Sequence, residues 1–176
     1  MALVVFLRGC NVGGQRTFRP SVLARDLAEL DVVNVGAAGT FVVRKAIGQR
    51  ALRAEFLRRL PFHTEIVICG GRDLIDLASA DPFPDEPAIP PKQRYISVMA
   101  TRPRAVPLLP ICYPAGDLWE TKVLGVRGRF AYGFWRHLGG RSFVIPNEVV
   151  EKNLGVVATA RNWNTICAVR DILKGG

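Results

Sequence analysis

The chain has 176 residues, of which 49% are hydrophobic and 22% are charged. This length permits one large domain or two small, closely packed ones, and the apolar content excludes a disordered protein. The longest apolar run near the start, Ala2–Leu7, is too short for a signal-peptide core or a membrane span, and no later run is better. We therefore expect a soluble, cytoplasmic protein without a membrane partner.

The formal net charge of +9 favours polyanionic partners. Of the 24 basic residues only five are Lys, and the basic residues are unevenly placed. Residues 1–25 and 121–147 each carry several basic side chains and no acid, whereas acids gather in 73–86. This distribution predicts a molecule with a basic face.

Strand-like and helix-like apolar patterns alternate in residues 1–80. Continuous or β-branched apolar runs predict strands at 2–7, 32–35, 40–43 and 65–69. Apolar residues at helical spacing predict a helix from Pro20 to Leu30, one over 52–60 that ends at Pro61, and a short one over 74–78. The order β-α-β-β-α-β, followed by a helix, is that of a ferredoxin-like half.

Residues 81–91 contain five prolines and are interpreted as an extended connector. Beyond it, a second and more irregular half is predicted over 92–176. Its strands are expected at 95–99, 118–124 and 130–135, with a turn at 125–128, and a Pro-rich piece at 103–114 takes the place of the first helix. A helix at 147–154 stops at Gly155, and a C-terminal helix follows over 166–173. We predict an α+β fold of two ferredoxin-like halves packed together.

The segment LRGCNVGG, residues 7–14, is dense in residues that bend the backbone and present hydrogen-bond donors. Its glycines permit a backbone nest for an anion, and its arginines match phosphate geometry. The candidate ligand-binding residues here are Arg8, Gly9, Asn11, Gly13, Gly14 and Arg16. The structural alternative is a tight strand-to-helix turn. A P-loop is rejected, because Gln15 and Arg16 stand where Lys and Ser/Thr belong.

The segment TARNWNT, residues 159–165, supplies the other candidate ligand-binding residues, which are Arg161, Asn162, Trp163, Asn164 and Thr165. In the functional interpretation, the Trp stacks on a base while the Arg and Asn side chains bind phosphate or base edges. In the structural interpretation, an Asn caps the last helix, the Trp anchors the core and the Arg satisfies buried carbonyl groups.

The stretch RGRFAYGFW, residues 127–135, places three aromatic residues on one face of a strand. It distantly resembles the aromatic strand of RNA-recognition modules, which share the ferredoxin-like scaffold. The favoured interpretation is that these aromatic side chains fill the core.

The opening LRGCNVGG and closing TARNWNT segments, with EKNLG shortly before the latter, resemble the bacterial domain-of-unknown-function family numbered sixteen ninety-seven. The resemblance covers nearly the whole chain. Cys10 stands where the family has Ile, and a polar S-G-N turn of many members reads Ala38-Gly39-Thr40 here. The resemblance implies a two-part ferredoxin-like α+β fold and brings no established activity.

Catalytic and metal-binding chemistry has little support in the sequence. The four scattered cysteines form no C-x-x-C pair, only two His residues are present, and no G-x-S-x-G elbow occurs. We expect reduced, buried thiols and no metal or cofactor; Cys10, near Arg8, is a weak candidate nucleophile.

The leading hypothesis is a binding protein for a phosphate-bearing ligand, either nucleic acid or a nucleotide, held by the Gly-rich loop and the RNWNT segment. One alternative is an enzyme acting on a small anionic metabolite, with Arg8 and Arg161 as clamps. The other is a structural or interaction module without a ligand. The sequence does not decide whether the protein is an enzyme.

Overall fold

The computed structural model describes residues 1–11, 17–83, 92–139 and 145–175. Contacts divide the chain into two compact units: unit 1, Met1–Ala80 with Thr165–Gly176, and unit 2, Asp81–Asn164. Over the described ranges the protein has a mixed α+β fold, with one antiparallel sheet in each unit and five α-helices. In these ranges no helix combines the length and apolarity that a membrane crossing needs.

Unit 1 is built on a four-stranded sheet in the order β2-β3-β1-β4. Its elements are β1 (Leu3–Leu7), α1 (Pro20–Asp26), β2 (Val32–Asn34), β3 (Thr40–Val43), α2 (Gln49–Arg59), β4 (Ile66–Gly70) and α3 (Gly71–Ser79). All five residues of β1 are buried at the centre of the sheet, as expected for an uninterrupted apolar run. Side chains of α1 and α2, among them Leu23 and Phe56, pack on one face with Val5 and Phe41.

Unit 2 holds a five-stranded sheet in the order β6-β7-β8-β5-β9. Its elements are β5 (Gln93–Met99), β6 (Ile111–Tyr113), β7 (Thr121–Arg127), β8 (Phe130–Trp135), α4 (Pro146–Leu154) and β9 (Ala158–Asn162). Pro146 occupies the first turn of α4, and Gly155, with φ of 65°, ends it in the left-handed conformation. Val149 and Val150 of α4 pack on one face of the sheet against Met99 and Ala131.

The predicted turn at 125–128 is wrong in its bounds. Strand β7 continues to Arg127, and Gly128, with φ of 60°, lies at the turn. Gly125 is instead a strand residue opposite Tyr132, at an irregularity in the β7–β8 pairing. A Cβ on Gly125 would overlap the Tyr132 ring and hydroxyl, so this glycine provides room for a side chain rather than a chain reversal.

Two edge strands were not predicted. Strand β9 has the sequence ATARN, which is neither apolar throughout nor rich in β-branched residues. Nothing in this local sequence indicates a strand that pairs with β5. Strand β6 lies inside the Pro-rich segment, where Leu109-Pro110 and Tyr113-Pro114 are cis peptides.

The sequence predicts the last helix, α5 (Trp163–Lys174), in the second half, but its residues from Thr165 onward lie with unit 1. The reason is its contact with α3. Lys174 Nζ donates to Ser79 Oγ at 3.0 Å, and Leu173 packs so closely on Gly71 that a Cβ there would lie 2.8 Å from Leu173 Cδ2. Most of the predicted connector, 84–91, lies outside the described residues.

Candidate functional site

The opening Gly-rich loop leaves β1 in unit 1 through Arg8 and Gly9. The backbone N–H of Arg8 donates to Glu65 O at 2.9 Å, and Thr64 Oγ1 donates to Arg8 O at 2.6 Å. Gly9 has φ of 64°, a conformation that favours glycine, while Cys10 is buried in the core cluster. Gly13, Gly14 and Arg16 lie outside the described residues, so the proposed anion nest stays a prediction.

Asn11 acts within this loop as a hydrogen-bonding brace. Its Oδ1 accepts from the backbone N–H of Phe18 at 2.9 Å, and its Nδ2 donates to Phe18 O at 3.1 Å and to Ala37 O at 2.7 Å. Both amide hydrogens are thus engaged by backbone carbonyls. This geometry ties the two ends of the loop to each other and to the turn between β2 and β3, which favours a structural role for Asn11.

Arg161, the one charged residue in the sequence of the closing motif, is buried, with 7% of its surface exposed. Its Nη1 donates to Thr159 Oγ1 at 2.8 Å and to Ala160 O at 2.7 Å. Residues 159 and 161 share a face of β9, because side chains alternate along a strand. The guanidinium is therefore held against its own strand, in agreement with the interpretation that it satisfies buried acceptors.

Trp163 belongs to an aromatic cluster on that same face of the sheet in unit 2. Its ring meets Phe83 edge-on, with centroids 5.1 Å apart, and Phe83 also contacts Tyr132 and Phe134 at 5.9 Å. Phe130 and Phe134 are buried. The aromatic residues Phe130, Tyr132 and Phe134 of this stretch thus pack in the manner of a core, and Phe83 covers Tyr132 and Phe134.

The remaining polar side chains at the end of the closing motif are more exposed to solvent than Arg161. Asn162 and Asn164 lie at or near the surface, and Thr165 is half-exposed. Arg8, Gly9, Asn11 and Thr165 belong to unit 1, and residues 161–164 belong to unit 2. That the two motifs form one site stays a prediction.

A cavity of about 160 Å³ lies on the opposite face of the same sheet, beside the start of α4. Its described lining consists of Tyr95, Trp135, Ile145, Pro146, Ala160, Arg161 and Asn162. Tyr95 is 1% exposed, and its hydroxyl has no hydrogen-bond partner among the described residues. Burial raises the pKa of the Tyr95 hydroxyl, so this group is a neutral O–H donor.

A group of arginines lies at the other end of the sheet, around the β7–β8 turn. Arg129 donates from Nε to Met99 O at 2.8 Å and from Nη2 to Ala100 O at 2.9 Å. Arg102 Nε lies 3.8 Å from the position that a Cβ on Gly128 would occupy. Arg102 and Arg127 are exposed and have no ion-pair partner in the described ranges. We call Arg102, Arg127 and Arg129 the arginine tip.

The residues of the cavity and of the arginine tip were largely missed by sequence reasoning. Tyr95 lies in a strand whose last five residues are all buried, as in an ordinary hydrophobic core. Nothing in the neighbouring sequence indicates that its hydroxyl lacks a hydrogen-bond partner. Arg127 and Arg129 belong to the stretch 121–147, whose basic residues have no acidic residue among them in the sequence. Arg102 lies outside that stretch, and only the fold brings it next to Gly128. Within the described ranges, no group of three or more His, Cys, Asp or Glu side chains is placed to hold a metal ion.

The comparisons with known proteins agree with this architecture. The chain belongs to the family described as Protein of unknown function (DUF1697), whose model matches residues 1–126. It is also similar to the solved structure of the conserved bacterial protein SP0830 from Streptococcus pneumoniae, with 16% identity, a TM-score of 0.55 and 98% of each chain covered. At this identity the likeness shows the fold alone. No curated protein matches the chain.

Proposed function

We propose that the protein binds phosphate-bearing ligands, nucleic acid foremost, through the arginine tip of unit 2. The observation that carries this proposal is the pair of exposed arginines at Gly128, neither of which has an acidic partner among the described residues: Arg127 precedes Gly128 in the chain, and the Arg102 side chain lies beside it. Planar guanidinium groups present paired N–H donors that match phosphate oxygens.

Arg129 supports the proposal by giving the tip a fixed base. Two of its nitrogen atoms are bonded to consecutive backbone carbonyls, those of Met99 and Ala100, which ties the turn to the end of β5. The two exposed arginines of the tip, without acidic partners in the described ranges, give a positive potential that attracts an anionic ligand. The ion pairs of unit 1 differ in this respect, because Arg58 and Arg59 are compensated by Glu55 and Glu29.

The Gly-rich loop remains a second proposed phosphate contact, through Arg8, Gly9, Gly13, Gly14 and Arg16. The RNWNT segment contributes less to this proposal than its composition suggested, because Arg161 and Trp163 are engaged inside unit 2. Asn162 and Asn164 are more open and are retained as candidates.

We also infer that both sheets are variants of the ferredoxin-like arrangement. Unit 1 has the element order β-α-β-β-α-β, with strands ordered β2-β3-β1-β4. In unit 2 the strands β7-β8-β5-β9 repeat this relative order, and β6 is added at the edge. RNA-recognition modules use the same scaffold, but the aromatic face that they present is covered by Phe83 here.

Charge reversal at the tip, Arg102→Glu with Arg127→Glu, is expected to weaken binding of short single-stranded RNA and DNA by about tenfold or more. The physical reason is the loss of phosphate contacts and of the counterion release that accompanies them. Fluorescence-anisotropy titrations at about 50 and about 200 mM salt measure the effect, and the salt slope should flatten by about 0.7 for each lost contact with a single strand.

The matched control is Arg50→Glu with Arg72→Glu, which changes the net charge equally at exposed residues of unit 1. Both positions lie in the first turn of a helix, where an acidic side chain is tolerated. Equal weakening in both double variants would mean that binding depends on the net charge of the protein and not on the arginine tip. Absence of nucleic-acid binding at low salt would contradict the proposed function.

A further inference from the structure

The cavity beside α4 combines an apolar wall with one buried polar group that the described residues leave unsatisfied. The wall includes Trp135, Ile145, Pro146 and Ala160. Tyr95 also lines the cavity, and its hydroxyl is the buried, unpaired polar group. Buried hydroxyl groups in proteins almost always have a partner, so an unpaired one beside a cavity calls for an explanation. A ligand that accepts a hydrogen bond provides that explanation.

The charge environment of the cavity favours a neutral occupant. Arg161 lines it, but the Arg161 guanidinium is bonded to Thr159 Oγ1, on the face of β9 opposite to that of Asn162. Tyr95 itself stays protonated, because burial raises the pKa of its hydroxyl. The first turn of α4 carries the carboxylate of Glu148, which opposes the attraction of this helix end for an anion.

The size of the cavity sets the size of the ligand. An apolar protein cavity of about 150 Å³ holds one benzene molecule, and this one measures about 160 Å³. Trp135 offers an aromatic side chain for ring contact, and Asn162, exposed at its end of β9, offers a polar amide.

We propose that this cavity binds a small, neutral aromatic compound whose hydrogen-bond acceptor meets the Tyr95 hydroxyl. The site is distinct from the arginine tip. Tyr95 stands near one end of β5 and Met99, which meets Arg129, stands at the other, four residues or about 13 Å along the strand.

Three probe molecules of similar size test the chemistry: benzamide, which is neutral and has a carbonyl acceptor; benzoate, its anionic counterpart; and toluene, which lacks an acceptor. Isothermal titration calorimetry and thermal denaturation of the full chain give the affinities and the ligand-dependent rise in melting temperature. We expect saturable benzamide binding, with benzoate and toluene at least about tenfold weaker.

Tyr95→Phe should weaken benzamide binding about tenfold and leave toluene binding unchanged, since it removes only the hydroxyl. This variant should fold, because the hydroxyl it deletes has no partner within the described ranges. Tyr132→Phe is the matched control: Tyr132 pairs with Ile96, so it lies on the opposite face, and benzamide affinity should not change.

Ala160→Leu places extra carbon atoms in the cavity and should abolish binding of all three probes. The proposal is overturned if benzamide produces no saturable response, or if wild type and Tyr95→Phe bind it equally. Arg102→Glu with Arg127→Glu should retain benzamide binding, so failure of the nucleic-acid proposal and failure of this one give different results.

Discussion

Replacing Gly133 with Ala should lower the free energy of unfolding of unit 2 by about 3 kcal/mol, at the upper end of overpacking penalties. Gly133 lies in β8 between Tyr95 of β5 and Val123 of β7. A Cβ there would overlap the backbone carbonyl oxygen of Lys122 and lie 3.1 Å from Val123 Cα. Because the obstruction is backbone, no side-chain rotation relieves it, and the β7–β8 pairing must shift.

Urea denaturation measures this effect with two probes. Far-UV circular dichroism follows both units, whereas the fluorescence of Trp119, Trp135 and Trp163 follows unit 2, which contains every tryptophan of the chain. Gly48→Ala is the control, since Gly48 has φ of −71° and nothing lies within 4 Å of the place that its new Cβ would take. Its effect should stay within about 1 kcal/mol. Equal midpoints for the two variants would contradict the steric argument.

Asn11→Ala should cost about 3 kcal/mol of stability in unit 1, because it removes hydrogen bonds to three backbone groups and places Ala in a left-handed conformation. Those groups are the N–H and carbonyl of Phe18 and the carbonyl of Ala37, and Asn11 has φ of 55°. The loop from β1 to α1 would lose its attachment to the β2–β3 turn.

The variant Asn11→Gly separates the two causes. Glycine accepts the left-handed conformation without strain, so its cost of about 2 kcal/mol reports the lost hydrogen bonds together with the greater backbone entropy of glycine in the unfolded chain. Circular dichroism during thermal unfolding provides the measurement. The hydrogen-bonding role of Asn11 is contradicted if, without ligand, Asn11→Gly costs no more than about 1 kcal/mol, which the backbone entropy of glycine accounts for.

Strands with a strong local pattern were predictable from the sequence. The predicted and observed bounds of 130–135 agree, because alternating aromatic and small residues define a strand without reference to its neighbours. The strands of unit 1 lie within one residue of their predicted bounds for the same reason. By contrast β9 is specified by its partner β5, and a polar segment such as ATARN becomes a strand only through that pairing.

The candidate site was less accessible to sequence reasoning than the fold. The composition of the opening loop suggested a ligand contact for Asn11, but its partner Ala37 is 26 residues away in the sequence, so the brace was invisible. The same holds for Arg102, which meets Gly128 only in the folded sheet. The sequence shows which residues carry polar or charged side chains. Which partners those side chains bind in the folded protein depends on contacts between residues that are far apart in the sequence.

Residues 165–176 belong to unit 1, although residues 81–164 of unit 2 precede them in the chain. Domains generally fold as units in the order in which the ribosome delivers them. Here the amino-terminal unit lacks its α5 segment until residues 81–164 have been translated, so the unit that emerges first is completed last. Nascent chains arrested before Thr165 should therefore expose the α3 surface that Leu173 and Lys174 cover in the finished protein.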